Sequence, residues 1–300
     1  MKKKEIINPF VESKERDTKD ADLVDSAVKG NKIALEKLIE RHQNWIYNIA
    51  LRMVGHTQDA EDVTQEVLLK IVTKLSTFKG KSGFRTWAYR IVANHVLNMK
   101  KRNSEKKLVS FDVYWESIDR TPDMDMPDPK GIPVDMPVLL EEINIHCMMG
   151  MLLCLNRELR LAFILGEVFS VSDKIGGDIL HISRDLFRQR LARARKKLYD
   201  FMQEKCGLID KSNPCHCDRK LKALLDHGAI DPANLEYNRN YFQRIKSVSG
   251  ERQQRFQNLV YSKCLHLFRE HPFQNSPDFV VAFREILESD EFRDIFHFVN

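Results

Sequence analysis

Apolar residues recur at helical spacing through the stretch from residue 20 to residue 102. The longest apolar stripe begins at Leu35, continues through Trp45 and ends at Met53, and Gly55 follows at a position where a helix can end. Asn31 precedes the stripe and is suited to capping the helix that carries it. Such stripes are buried only when helices pack against one another. This stretch therefore predicts a bundle of helices.

The remainder of the chain is also patterned as helix, in blocks at 138–205 and 218–300, and no stretch alternates convincingly as a strand would. Only 12 glycines and 10 prolines occur in 300 residues, which argues against a turn-rich β-protein. We therefore predict an all-α protein. Its predicted parts are a charged tail at 1–19, a helical domain at 20–103, an acidic proline-rich linker at 104–137, a helix-turn-helix domain at 138–205, a cysteine-containing linker at 206–217 and a helical extension at 218–300.

The predicted linker at 104–137 differs sharply in composition from its surroundings. Half of all the prolines lie between Pro122 and Pro137, and acidic residues greatly outnumber basic ones there. Proline-rich, charged segments are extended rather than packed. We expect an extended connection between two helical domains, and its simplest role is that of a solubilising tether.

Composition also bears on the compartment. No apolar run is long enough to span a bilayer, and the lysines near the N-terminus are not followed by the apolar stretch of a secretory signal. Six cysteines in 300 residues are too few for a disulfide scaffold. We expect a cytoplasmic protein with reduced thiols and no membrane partner.

An acidic group stands at the start of the third predicted helix. Asp59, Asp62 and Glu66 are spaced by three and four residues, so they share one ridge, and Gln65 lies beside them. Acidic residues near a helix N-terminus are favoured by the helix dipole, which is a purely structural explanation. The alternative is that the ridge docks on a basic protein surface.

A basic and aromatic stretch follows the acidic one. Between residues 79 and 103 there are seven basic residues and no acidic residue, and aromatic rings are interleaved with the first of them. Basic side chains neutralise phosphates and exposed rings stack on unpaired bases, whereas rings at helical spacing can equally face a core. The basic residues are Lys79, Lys81, Arg85, Arg90, Lys100, Lys101 and Arg102, and the rings are Phe78, Phe84, Trp87 and Tyr89.

A helix-turn-helix pattern lies at 172–202. Ser172 can cap a short helix, and Ser183 can cap a second, strongly basic one. In such motifs the start of the second helix enters the major groove, so Arg184 and Arg188 are candidates for reading base edges. Arg190, Arg193 and Arg195 lie further along and are candidates for phosphate contacts. Any helical hairpin can imitate the pattern.

Two segments resemble the extracytoplasmic-function sigma factors of bacteria. The segment 59–102 resembles their region two, with an acidic helix, an aromatic and glycine-containing loop, and then the helix FRTWAYRI at 84–91, which runs on into basic residues. The segment 155–198, which includes the helix-turn-helix pattern, resembles their region four. The resemblance covers residues 20–202 and leaves the C-terminal extension unexplained.

The resemblance implies a set of partners and contacts. Core RNA polymerase would bind Asp59, Asp62, Gln65 and Glu66 through its clamp coiled coil, and the acidic linker would mimic nascent RNA inside the enzyme. The loop at 76–83 would hold a flipped promoter base. The helix after this loop would contact the promoter and hold the melted strands. The DNA-binding residues of region two would be Lys79, Lys81, Arg85, Trp87, Tyr89, Arg90, Asn94, Lys100 and Lys101. The helix at 184–195 would read the more distant promoter element. An anti-sigma factor is a further candidate partner, and neither a cofactor nor catalysis is implied.

The sequence departs from the family pattern in the helix-turn-helix. The family usually has alanine where Gly176 stands, glycine where His181 stands, and a smaller apolar residue where Phe187 stands. Each helical glycine is expected to weaken its helix by about 1 kcal/mol relative to alanine.

The cysteine-containing linker offers a second chemistry. Cys206, Cys215, His216 and Cys217 are potential soft-metal ligands within twelve residues. Their irregular spacing does not match the paired ligands of common zinc sites, so we expect no bound metal and treat Cys206, Cys215 and Cys217 as secondary candidates. A redox-active thiol pair and a purely structural use are the alternatives.

Two other classes of function compete with the sigma-factor interpretation. A conventional repressor or activator would need the helix-turn-helix but no polymerase-docking ridge. An enzyme acting on nucleic acid would need catalytic groups, but the sequence has no Walker loop, nucleophile elbow or HExxH motif. The extension at 218–300, which carries an apolar stripe from Phe256 to Phe268, is expected to be a separate helical domain that steadies or covers the DNA-binding helix.

Overall fold

The structure is a computed structural model that describes residues 14–107, 110–125, 134–237, 268 and 276–288. Within these ranges the regular structure is helical, apart from one isolated parallel bridge between Cys206 and Cys215. The all-α prediction is confirmed. The helices are α1 (Lys14–Val28), α2 (Lys32–Val54), α3 (Thr57–Thr73), a 3-10 turn (Leu75–Thr77), α4 (Phe84–Asn98), α5 (Asn103–Lys107), α6 (Phe111–Asp119), α7 (Met136–Leu153), α8 (Arg157–Phe163), a π-turn (Ile164–Val168), α9 (Asp173–Leu180), α10 (Arg184–Lys205), α11 (Cys217–Asp226) and α12 (Phe279–Glu288).

Two compact units divide the described residues, and each draws on separated segments of the chain. Among the described residues, the first unit comprises 14–102, 157–191 and 276–288, and the second comprises 103–107, 110–125, 134–156, 192–237 and 268. The units therefore cut across the domain boundaries that the sequence predicted. Helix α8 explains part of this, because seven residues are too few to build a core and its apolar face is buried against α2 and α4 of the first unit.

The first unit is centred on α2, whose ends are fixed as the sequence predicted. The side chain of Asn31 accepts a hydrogen bond from the Ala34 backbone N–H at 3.0 Å, and Gly55 ends the helix in the left-handed conformation with φ 72°. Trp45 and Met53 are among the many buried residues of this helix. Most residues of α2 are buried, so this helix lies at the centre of the unit and the other helices pack around it.

Two arginines of α8 attach this helix to α2 and α4. Arg160 is buried and donates a hydrogen bond to the carbonyl of Met53 in the last turn of α2. Arg157 donates to the carbonyls of Met99 at 2.5 Å and Leu97 at 3.3 Å, where α4 ends. Helix α4 ends at Asn98, where Arg157 satisfies carbonyls that a further turn would have used.

A buried polar network joins α1 to α2. Arg41 Nε lies 2.7 Å from Asp20 Oδ1, and His42 Nε2 lies 3.2 Å from Asp20 Oδ2. The ring nitrogen Nδ1 of His42 accepts a hydrogen bond from Trp45 Nε1 at 2.9 Å, so this nitrogen carries no proton. Burial lowers the pKa of His42 despite the neighbouring carboxylate. Burial acts to raise the pKa of Asp20, but the contacts with His42 and Arg41 outweigh it and the pKa is lowered.

We expect acidification to destabilise the first unit through this network. His42 has a folded pKa below its ordinary value of 6.5, so its contribution to stability is lost as pH falls below 6.5 towards the folded pKa. Asp20 acts in the same direction at lower pH, below its ordinary value of 3.8. Each unit of depression costs about 1.4 kcal/mol once the group is protonated. Thermal unfolding between pH 7.5 and 5 should show a falling midpoint, and His42→Gln should flatten that fall; an unchanged slope would contradict the assignment.

The second unit contains a small core shared by α7, α11 and the chain near residue 134. The core is formed by Val134, Leu139, Ile143, Leu221, Ile230 and Leu235. Helix α6 packs beside it, and its Tyr114 hydroxyl donates to the Cys147 carbonyl at 3.0 Å. Gly150 leaves the room for this ring, since a Cβ there would lie 2.6 Å from it. The sequence predicted an extended linker at 104–137; α5 and α6 correct that, because the aromatic face of α6 finds a partner on α7.

Helix α7 is long and apolar enough to cross a membrane by length and composition alone. More than half of its 18 residues, 56%, are buried inside the protein. Leu139 is fully covered and Ile143 nearly so, and both belong to the core of the second unit. This is the pattern of a core helix.

The described parts of the C-terminal extension are divided between the two units. In the second unit, Glu142 of α7 is buried and its Oε1 accepts the backbone N–H groups of Glu236 at 2.8 Å and Tyr237 at 2.9 Å. In the first unit, α12 lies on α2, where Arg284 forms a two-pronged ion pair with Glu36 at 2.8 and 2.9 Å. The sequence predicted one separate domain placed against the basic helix; α12 contacts α2 instead. The predicted stripe at 256–265 lies outside the described residues.

Candidate nucleic-acid interface

The loop at 76–83 and the start of α4 carry a cluster of three rings. The centroids of Phe78 and Phe84 are 5.7 Å apart, and Trp87 lies 5.6 Å from each of them. Phe84 is buried, whereas Phe78 and Trp87 are half-buried. Lys79 and Lys81 flank the cluster and are exposed. The arrangement presents partly exposed rings between exposed positive charges, which suits unpaired bases and their phosphates.

Tyr89 lies on the opposite side of α4, in the core. It is 1% exposed, and its ring centroid is 3.6 Å from that of Trp45 on α2. Burial raises the pKa of its hydroxyl well above the ordinary value. The sequence interpretation that gave Tyr89 a DNA contact is therefore corrected to a packing role. Arg85 is also buried, at 9% exposure, so its guanidinium is largely withdrawn from solvent.

The other basic residues of this stretch fall into two groups. Lys100 and Lys101 are exposed, as is Asn94 on the outer face of α4. Arg90 is half-buried and its Nε donates to the carbonyl of Asp178 on α9 at 2.9 Å. Helix α4 packs along α9 within the first unit. The helix-turn-helix thus covers the part of α4 that carries Arg90.

The acidic ridge on α3 is partly neutralised from elsewhere in the chain. Arg102 lies 3.4 Å from Glu66 Oε1 and 4.0 Å from Asp59 Oδ1, and His95 Nε2 lies 3.2 Å from Glu66 Oε2. Burial, and next the nearby Lys70, lower the pKa of His95. The local sequence does not reveal this pairing, because Arg102 is 36 residues from Glu66. Asp62 and Gln65 remain exposed on its outer side.

The helix-turn-helix is formed by α9 and the start of α10, with the caps that the sequence predicted. Ser172 Oγ accepts the N–H of Ile175 at 3.4 Å, and Ser183 Oγ accepts the N–H of Leu186 at 3.1 Å. His181, in the turn, has φ 53°, a left-handed conformation that favours glycine. The position at which the family usually has glycine is therefore one where the backbone conformation favours glycine.

The arginines of α10 differ in how far they are engaged. Arg184 Nη2 and Arg188 Nε each lie 3.1 Å from the carboxylate of Asp173, and both side chains are exposed. Arg190 is only 17% exposed and pairs with Glu158 at 2.8 Å. Arg193 is exposed and Arg195 is half-buried. One carboxylate therefore holds the two exposed arginines at the start of the helix side by side. Their guanidinium groups can pair with another acceptor in place of Asp173.

Two departures from the family pattern prove to be one feature. A Cβ on Gly176 would lie 2.4 Å from the ring of Phe187, which is 1% exposed. The large ring of α10 therefore occupies the space that a methyl group on α9 would need. The joint occurrence of a small residue on one helix and a large residue on the other is the sequence signal of this packing.

Sequence comparison agrees with this geometry. The sequence family of sigma-70 region 2 matches residues 38–106, a range that begins in α2 and ends in α5. The RNA polymerase sigma-H factor of Pseudomonas aeruginosa is 26% identical over 189 residues, which covers 61% of this chain and 94% of that protein. The extracytoplasmic-function factor SigE of Mycolicibacterium smegmatis is 27% identical over 167 residues, covering 56% of this chain and 61% of that protein. The region 2 match and these relatives support an extracytoplasmic-function sigma factor.

Two further comparisons concern parts of this sigma factor. The sigma-E factor of Escherichia coli is 37% identical over 76 residues, which covers 25% of this chain and 39% of that protein. A chain in the solved structure of CnrH in complex with the cytosolic domain of CnrY is 20% identical and has a TM-score of 0.45, and the match covers 62% of this chain and 97% of that chain.

Proposed function

We propose that this sigma factor binds core RNA polymerase, directs it to particular promoters and helps to melt the DNA. The observation that carries the proposal is that two exposed surfaces follow one another along α3 and α4. Asp62 and Gln65 form the first, and the second is a loop with partly exposed rings and exposed lysines. A helix-turn-helix regulator that acts without polymerase has no need of the first surface. The proposal gives the chain no catalytic role.

Docking on polymerase is assigned to Asp59, Asp62, Gln65 and Glu66. Asp62 and Gln65 are exposed and can meet a basic partner directly. Glu66 and Asp59 already face Arg102, so they orient the ridge and contribute less net charge to it. Charge complementarity of this type speeds encounter and fixes the register of docking.

DNA melting is assigned to the ring cluster and its flanking charges. Trp87 and Phe78 are half-buried, so each ring has a supported face and an accessible one. A base leaving the duplex can stack on such a ring, which recovers about 1–3 kcal/mol of lost stacking. Lys79, Lys81, Lys100, Lys101 and Asn94 are exposed and suited to the backbone of the separated strand.

Reading of the upstream element is assigned to α10. Arg184 and Arg188 are one turn apart at its start and exposed, and Arg190, Arg193 and Arg195 follow towards the phosphates.

Arg90 must release the Asp178 carbonyl, and α4 must part from α9, before both helices can meet DNA. We therefore expect polymerase binding to open the first unit. A protein with these partners acts in the cytoplasm, and an anti-sigma factor that holds the unit closed is a candidate regulator.

Transcription from purified components tests the proposal directly. Core RNA polymerase with this protein should initiate at discrete sites on genomic DNA of the source organism, and core polymerase alone should not. Binding to the same sites by the protein without polymerase, together with no initiation, would instead indicate a conventional regulator.

Base reading by α10 makes a separate prediction. Arg184→Ala or Arg188→Ala should relax selection at particular upstream positions, because a bidentate arginine–guanine contact discriminates by about 1–3 kcal/mol. Lys196 is exposed further along α10, among the residues proposed to meet phosphates. Lys196→Ala should therefore weaken binding to all sequences equally and reduce its salt dependence. Selection from a randomised upstream element, followed by sequencing, measures both effects. Identical profiles for the wild type and both arginine variants would refute the assignment.

A further inference from the structure

Four cysteines from distant parts of the sequence belong to the second unit. Cys147 lies on α7, Cys206 follows α10, and Cys215 and Cys217 stand at the start of α11, all as free thiols. Cys147 is one helical turn beyond Ile143, a residue of the core that α7 shares with α11. Cys217 packs against that same core. Cys147 and Cys217 are thereby brought to the same side of α7.

Backbone pairing brings Cys206 and Cys215 together. The N–H of Gly207 donates to the Cys215 carbonyl at 2.9 Å, and the N–H of Cys215 donates to the Lys205 carbonyl at 3.0 Å. These two bonds make Cys206 and Cys215 directly opposed neighbours in a parallel bridge. A Cβ on Gly207 would lie 2.7 Å from the Cys215 carbonyl oxygen, so only glycine permits this close approach.

Hydrogen bonds fix the turn after Cys206. The backbone N–H of Ile209 donates to the Cys206 carbonyl at 3.0 Å. The side chain of Asn213 donates to the carbonyls of Gln203 at 2.8 Å and Cys206 at 3.0 Å. The backbone of Cys206 is therefore held in place opposite Cys215.

The four thiols are half-buried and unpaired with one another. The nearby cation Lys220 is already paired with Asp123 at 3.0 Å. A divalent cation would remove both the desolvation cost and the mutual repulsion of four thiolates placed here.

We propose that Cys147, Cys206, Cys215 and Cys217 bind one thiophilic divalent ion of the zinc class. The ion would cross-link α7, the end of α10 and the start of α11, and so fix the root of the C-terminal extension. Binding converts four thiols into four thiolates and releases four protons to the solvent, with no change in oxidation state. Four thiolates around one ion match the tetrahedral preference of zinc.

Side-chain rotation completes the site. In the described ranges of the chain, no three His, Cys, Asp or Glu side chains are grouped closely enough to hold an ion as they stand. A cysteine has a single χ angle, and the backbone positions are already fixed by the Cys206–Cys215 bridge and the α7–α11 core. A disulfide between Cys206 and Cys215 is the competing use of the pair.

Metal analysis of the full-length protein tests the proposal. Protein purified with a reductant and without chelator should contain one zinc per chain by mass spectrometry of the metal. Replacement by Co²⁺ should give the strong visible bands and sulfur-to-metal charge transfer of tetrahedral thiolate coordination. Cys206→Ser and Cys217→Ser should each lower zinc affinity at least about tenfold.

Cys154→Ser is the matched control. Cys154 is also on α7's side of the second unit, but its sulfur donates to the Gly150 carbonyl at 3.3 Å, within its own helix region. This variant should keep the full metal content. Should a ligand variant fail to fold, titration of the wild-type thiols with a mercurial reagent should still release one zinc as four thiols react. Substoichiometric metal in the wild type, equal metal in the ligand variants, or a Cys206–Cys215 disulfide in peptide mass maps of protein kept under reductant would each overturn the proposal.

Discussion

Changing both Asp62 and Gln65 to lysine is expected to abolish stable binding of this sigma factor to core RNA polymerase. Both side chains are exposed on the outer side of α3, so the change leaves the core of the first unit intact. It places two positive charges where the proposed partner surface is itself basic, and like-charge juxtaposition costs several kcal/mol, or about a hundredfold or more in affinity. Fluorescence titration of labelled protein with core polymerase measures the loss. Glu66 is left unchanged because Arg102 and His95 depend on it.

A matched variant separates docking from a general charge effect. Asp25 and Val28 are exposed on α1 and have the same spacing of three residues. Asp25→Lys with Val28→Lys therefore adds the same charge in the same pattern at another site of the first unit. It should bind polymerase as the wild type does. Equal affinities of the two double variants would show that α3 is not the docking surface.

The predictions that held rest on local chemistry. Asn31, Gly55, Ser172 and Ser183 were assigned to helix ends because a cap depends on the side chain or backbone freedom of one residue and its near neighbours. The helical stripes gave the all-α class for the same reason. Such features depend on a few neighbouring residues, so they form regardless of how the helices are arranged in the tertiary structure.

The predictions that failed depended on distant partners. Tyr89 and Trp87 stand two residues apart in the same basic stretch, but α2 places Trp45 against Tyr89 and leaves Trp87 half-exposed. Glu66 pairs with Arg102, which follows α4 and is 36 residues away in the sequence. Neither outcome can be read from spacing, because each depends on which face of α4 the rest of the bundle covers.

The predicted linker failed for a related reason. Its proline and acid content is real, but the first part carries α6, whose aromatic side chains pack where α10 ends. Tyr114 and Phe111 lie 5.9 and 5.1 Å from the ring of Phe201. Composition describes the average of a segment, whereas a short amphipathic helix needs only a few apolar residues and a surface that accepts them.

Gly176→Ala is expected to destabilise the helix-turn-helix, although alanine is the better helix former. Alanine gains about 1 kcal/mol in helix propensity. The added methyl group would lie 2.4 Å from the Phe187 ring, and overpacking of this kind costs about 1–3 kcal/mol. The ring is fully buried between the helices and cannot turn away into solvent. Amide hydrogen exchange of α9 and the thermal midpoint of the protein should both report the loss.

Phe187→Leu should reverse the sign of that substitution. With the smaller side chain on α10, the methyl group at position 176 fills space, and only the gain in helix propensity remains. The double-mutant cycle should therefore show favourable coupling of about 1–3 kcal/mol. Gly177→Ala is the control, since its methyl group would meet the Ile182 carbonyl oxygen at 2.9 Å, a backbone atom that residue 187 does not control. Phe187→Leu should not rescue it. Additive effects at 176 and 187 would mean that the glycine and the phenylalanine are independent departures from the family, and that the close approach of α9 to α10 has another cause.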